Sequence, residues 1–191
     1  MKRLLLALLL SATAIFAAGQ ASATTLMRAG LDELTRGNSK IVVGEILDAY
    51  SYWNESGTFI LTDVRVAVHE VLKGQVQGGE ITLTIMGGTV GDLTALIVGG
   101  AELQPENSYV LFLDERKLPG VREKTLTVSD HCQGVFDLVA NREGLRAVSQ
   151  ANRHPLVPDR QGFSEPPGGV EGLALGSMVR SIRNLNSREV R

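Results

Sequence analysis

Ser129-Asp130-His131-Cys132 is the densest run of nucleophilic and proton-carrying side chains in the chain. It contains every residue type that a hydrolytic triad uses. A triad, however, is assembled from separated positions so that each side chain reaches the next, and four consecutive residues do not reach one another in that way. No G-x-S-x-G elbow occurs, and Cys132 has neither a Gln nor a Cys-Gly-x-Cys context. The run reads as a short loop entering a strand, and no residue is assigned a catalytic role. Were the chain a secreted enzyme, the Ser129 to Cys132 segment would be its centre.

Other chemistries find still less support. The three histidines, His69, His131 and His154, lie far apart in sequence. Only His131 has a His or Cys near it, the adjacent Cys132, and neighbours on a strand point to opposite faces. No metal site and no cofactor is expected. Gly87-Gly88-Thr89-Val90-Gly91 lacks the Lys-Ser/Thr that a phosphate loop carries, so it reads as a strand connection. The carboxylates form no close pair set in an apolar stretch, which leaves no acid/base couple. Tyr50, Tyr52 and Trp53 crowd the end of a strand beside the Asn54 to Thr58 loop. Aromatics at a loop tip supply large rigid contact area at low entropic cost. These three are the candidate binding residues, and the alternative is that they cap one end of a core.

The elements that must position these residues are mostly strands. Met27, Leu31 and Leu34 fall on one helical face and predict a short helix over Leu26 to Thr35. Ile41 to Leu47, running on to Trp53, predicts a strand in which Gly44 marks a bulge or a close backbone approach. Ile60, Thr62, Val64, Val66, Val68 and Leu72 alternate with Asp63, Arg65, Ala67 and His69, which predicts a half-buried strand with His69 outward. Ile81 to Ile85, Tyr109 to Leu113, Leu126 to Val128 and Val135 to Val139 complete the β-candidates. The unbroken apolar run from Tyr109 to Leu113 predicts a central strand covered on both sides. Leu175, Val179, Ile182 and Leu185 form one stripe of a last helix over Val170 to Leu185.

Lys2 and Arg3, the apolar run Leu4 to Phe16 and the small-x-small Ala21-Ser22-Ala23 predict a secretory signal peptide over residues 1–23. That run is shorter than the roughly 20 apolar residues of a membrane span. None of that length follows, so no span is expected in the mature chain. The leader holds two basic residues and no acidic one, which takes the net charge from −2 to −4 on cleavage. A mildly acidic chain with no basic face excludes nucleic acid as the expected partner. Cys132 is the only cysteine, so no disulfide forms within the chain, and burial of the thiol is expected. The reading is of a secreted or periplasmic protein with a domain over 24–140. A Pro/Gly-rich tail with an amphipathic helix follows over 141–191.

Val42-Val43-Gly44-Glu45-Ile46 resembles the V-x-G-x-V first strand of netrin-like domains, the group that includes tissue inhibitors of metalloproteinases. Val68-His69-Glu70-Val71-Leu72-Lys73-Gly74 is similar to that group's V-x-x-V-x-K-G at the close of the second strand. Tyr109 to Leu113 resembles its late strand, with the preceding turn Gly missing. The matches span residues 40 to 140 and match the outline of exported bacterial proteins of this kind. Five or six strands at short spacing, with a short N-terminal helix and a C-terminal helix, point to a small antiparallel barrel or sandwich, and the resemblance implies the small OB-like antiparallel barrel, used for protein binding. The inhibitors' mature N-terminal Cys has no counterpart, because cleavage would expose Thr24, so no residue takes that role. The expected function is an exported protein-binding module whose partner is a protein, in the narrowest form an exported protease. A structural envelope protein without a specific ligand is the remaining alternative.

Overall fold

Among the described residues ten strands and two α-helices form in the order α1 (Leu31–Gly37), β1 (Lys40–Trp53), β2 (Ile60–Lys73), β3 (Glu80–Met86), β4 (Gly88–Val90), β5 (Leu93–Ala95), β6 (Ser108–Lys117), β7 (Lys124–Val128), β8 (Val135–Asn141), β9 (Gly144–Ser149), β10 (Leu173–Ala174) and α2 (Leu175–Glu189). The structure is a computed structural model and describes residues 27–154 and 168–189. The leader expected over residues 1–23, and most of the Pro-rich run after His154, lie outside the described residues.

β1 and β2 are long because Asn54 closes the turn between them. Its Oδ1 accepts from the amides of Thr58 (2.8 Å) and Phe59 (3.1 Å), and its backbone N–H donates to the Phe59 carbonyl (2.9 Å). From this hairpin an eight-stranded antiparallel sheet extends in the order β10-β9-β8-β6-β1-β2-β3, with β7 paired to the outer half of β6. β4 and β5 form a separate two-stranded sheet. β9 and α2, which follow Asn141, extend the same sheet and core, since β9 pairs along β8 and α2 packs on β9.

Both faces of the sheet are buried. On one side Ile41, Val43, Val110, Phe112 and Phe136 pack against Leu34 of α1 and Met178 and Ile182 of α2. On the other side Val42, Ile46, Val64, Leu83, Leu111 and Val135 form a second cluster, over which the sheet folds. The expected central strand, Tyr109 to Leu113, is therefore buried along its whole length, because β1 flanks it on one edge and β8 on the other.

The expected small OB-like barrel does not form. The fold is mixed α/β with an open sheet. β3 and β7 approach as the edges of a closing barrel would, and the Thr84 and Thr125 hydroxyls meet at 3.0 Å. Yet no backbone ladder joins them, so the path ends at β3. Closure requires edge-to-edge backbone pairing, whereas β7 pairs only with β6, and β8 to β10 lengthen the sheet on its far side. The netrin-like resemblance falls with the barrel. Its motifs do lie on β1, β2 and β6, but short apolar strand motifs suit many antiparallel sheets.

Smaller differences have local causes. Leu72 does not share a face with Val64 and Val66; it joins the helix-side cluster. Register shifts between Ile41 and Val42 and between Val43 and Gly44 reverse the alternation there. Gly44 serves both purposes expected of it. It follows one of those shifts, and a Cβ there would lie 2.6 Å from the Ala67 carbonyl oxygen. The first helix begins at Leu31, not Leu26, with Gly30 as its N-cap, and Met27 is exposed. The last begins at Leu175 because Leu173 and Ala174 pair with β9 first. Its buried stripe includes Met178 besides Val179 and Ile182.

Candidate functional site

The end of β1 separates the three aromatic candidates. Past its last register shift the strand alternates regularly, so Tyr50 and Tyr52 share one face and Trp53 takes the other. The two tyrosine rings stack with centroids 6.2 Å apart and planes at 17°. Tyr52 donates its hydroxyl to Asp63 Oδ1 (3.1 Å), which also accepts from Thr84 Oγ1 (2.7 Å). Burial, with Asp63 beside it, raises the Tyr52 phenol above its ordinary pKa. Tyr52 is thus tied into the seam between β3 and β7, while Tyr50 stands 71% exposed.

Trp53 faces the side of β1 that carries Ser51, and β4 and β5 pack on that side. Ser51 Oγ lies 2.8 Å from Thr62 Oγ1 and accepts from the Thr89 amide at 3.4 Å. Gly88 makes this approach feasible. Its φ is 122°, and a Cβ there would lie 2.2 Å from Thr62 Oγ1 and 2.4 Å from Ser51 Oγ.

The segment that follows β4 exposes several large apolar side chains. Leu93 is 61% exposed, Leu96 86% and Val98 93%. Its far end is pinned: Gly100 N–H donates to the Ile97 carbonyl and Cys132 N–H to the Gly99 carbonyl, both at 2.9 Å. Beneath it a cavity of about 520 Å³ is lined by Ser51, Thr62, Met86, Thr94, Leu103 and His154, among others. Exposed apolar side chains thus gather on a segment that backbone hydrogen bonds hold at its far end.

Ser129 to Cys132 form a tight turn and not a triad. Ser129 is fully buried, and its Oγ accepts from Arg116 Nη2 at 3.1 Å. Cys132 is 1% exposed, and burial raises its thiol pKa, which leaves it protonated and a poor nucleophile. Asp130 and His131 are exposed and both left-handed, with φ of 50° and 63°. His69 lies outward as expected, 3.7 Å from Glu45. Among the described residues no three His, Cys, Asp or Glu side chains gather as metal ligands, and no helix is long and apolar enough to cross a membrane.

Sequence reasoning missed the β4–β5 hairpin. Its signal was there: Gly87-Gly88 and Gly99-Gly100 bracket the apolar segment Leu93 to Val98. No protein-family model matches the chain, and no curated protein matches its sequence.

Proposed function

We propose that the chain is an exported protein-binding module whose contact surface is the β4–β5 hairpin and the loop after it, with Trp53 at its margin. The observation that carries this reading is the outward presentation of Leu93, Leu96 and Val98 on a segment pinned at Gly99 and Gly100. Apolar side chains presented in this way stay exposed at a cost, roughly 25 cal/mol for each Å² left in water, and a partner surface recovers that cost. Export rests on the leader pattern of residues 1–23. The protease form of the expectation rested on the netrin-like resemblance and is not carried further.

A photo-crosslinking residue at position 96 tests the reading in cells that make and export the full chain. One dominant crosslinked partner is expected, from the same compartment, and Val98→Asp should abolish it. A matching probe at Leu145, exposed on β9, should give no such product. Crosslinks of equal yield from both positions, or none from position 96, would reject the surface.

A further inference from the structure

We propose that the cavity beside the Ser129 to Cys132 turn binds a ligand with an apolar body and a carboxylate head, either a free medium-chain acid or the C-terminal residue of a polypeptide. The cavity holds about 290 Å³, at the lower edge of small-ligand sites. Ile85, Met86, Ile97, Leu118 and Val128 give it apolar walls. Ile85, Met86 and Ile97 also line the cavity of about 520 Å³ under the β4–β5 hairpin, so the two cavities adjoin.

The charged groups at its mouth favour an anion. Arg116 and Lys117 line it against a single carboxylate, Asp130, with the His131 imidazole beside them as a hydrogen-bonding group. Arg116 Nη1 lies 3.5 Å from Asp130 Oδ1, so the acid is already matched, and Ser129 Oγ holds the same guanidinium. Lys117 and His131 have no ion-pair or hydrogen-bond partner among the described residues. A carboxylate head fits between them as a charge-assisted acceptor. The turn supports a built site. Asp130 and His131 are consecutive non-glycine residues at positive φ, and both line the cavity. Backbone in that region persists where its surroundings hold it in place, and such residues cluster at ligand sites. The cavity of about 290 Å³ shares Ile97 and Gly100 with the loop of the partner surface but none of Leu93, Leu96 and Val98, so Lys117 and Leu96 report on the two readings separately.

Octanoate and an acetylated dipeptide ending in leucine are the probes, titrated into the full mature chain by calorimetry beside octanamide and the peptide amide. At least one acid should bind saturably, and roughly tenfold or more tighter than its amide, as expected from one charge-assisted contact. Lys117→Glu should weaken that acid by a similar factor without lowering the thermal midpoint. His131→Asn, which tolerates the left-handed backbone, should weaken it as well. Binding of octanoate alone identifies a free acid as the ligand, and binding of the peptide alone identifies a chain end. Failure of both acids to saturate, amides that bind equally well, or a Lys117→Glu protein with unchanged affinity would overturn the proposal.

Discussion

Tyr109-Val110-Leu111-Phe112-Leu113 and Leu93-Thr94-Ala95-Leu96-Ile97-Val98 are similar apolar runs, some ten residues apart in the chain, with opposite fates. Every side chain of the first is buried, at 3% exposure or less, whereas Leu96 and Val98 of the second are 86% and 93% exposed. Hydrophobicity does not separate them; pairing does. The first run lies between β1 and β8, so both sheet faces and both edges are occupied. The second pairs only through the three residues of β4, in a sheet of two strands, which is too little to bury a face. An apolar segment becomes core when the topology supplies neighbours, and stays exposed when it does not.

That contrast breaks most visibly at Phe112. Phe112 packs against Phe136 with ring centroids 5.6 Å apart at the centre of the helix-side cluster. Phe112→Ala should cost about 3–5 kcal/mol of unfolding free energy, read from urea denaturation. A loss below about 1 kcal/mol would mean that the first run is no better packed than the second.

A smaller effect sits at the junction of the two regions, where the Cys132 amide holds the Gly99 carbonyl. Burial raises the Cys132 thiol pKa in the folded chain. The unfolded chain therefore loses this proton at lower pH than the folded one. The thiol's contribution is constant below its unfolded pKa and declines as pH rises through the folded value. Stability measured from neutral to alkaline pH should fall more in the natural chain than in Cys132→Ala. Parallel curves would show the thiol to be solvated and the loop end loose.

The smallest change in stability is expected at the exposed run itself. Leu96→Ser combined with Val98→Ser should shift the urea midpoint by no more than about 0.5 kcal/mol equivalent, although it removes two large apolar side chains. A loss approaching that of Phe112→Ala would mean that the hairpin packs on the molecule in solution, and the partner surface would have to be sought elsewhere.

The sequence was legible where local pattern and tertiary outcome agree. The β6 run, the Gly44 irregularity, the outward His69 and the buried Cys132 follow from periodicity and residue chemistry alone. Leu72 did not, because the shifts near Val42 and Gly44 reverse the face of everything beyond them, and counting by twos cannot register that. The open sheet was illegible for a different reason. Whether β3 and β7 share a ladder depends on residues some forty positions apart, and strand motifs describe each strand without its edges. Of the candidate site, the aromatic residues were legible as neighbours at the end of a strand but not as lying on its two faces. The left-handed pair Asp130 and His131 carried only a faint signal, since Asp and His enter that region more often than other non-glycine residues but far less often than Gly.

The seam between β3 and β7 gives the molecule a mechanical grain. Across the β1–β2 hairpin, twelve residue pairs share load along a backbone ladder that three register shifts interrupt. Across the seam, the contacts given are side-chain hydroxyls, with Thr84 bridging Thr125 on one side and Asp63 on the other. A pull that separates β3 from β7 therefore meets side chains that rotate and re-bond to water, while the same pull on β1 and β2 meets the whole ladder at once. The sheet yields first where it was never joined.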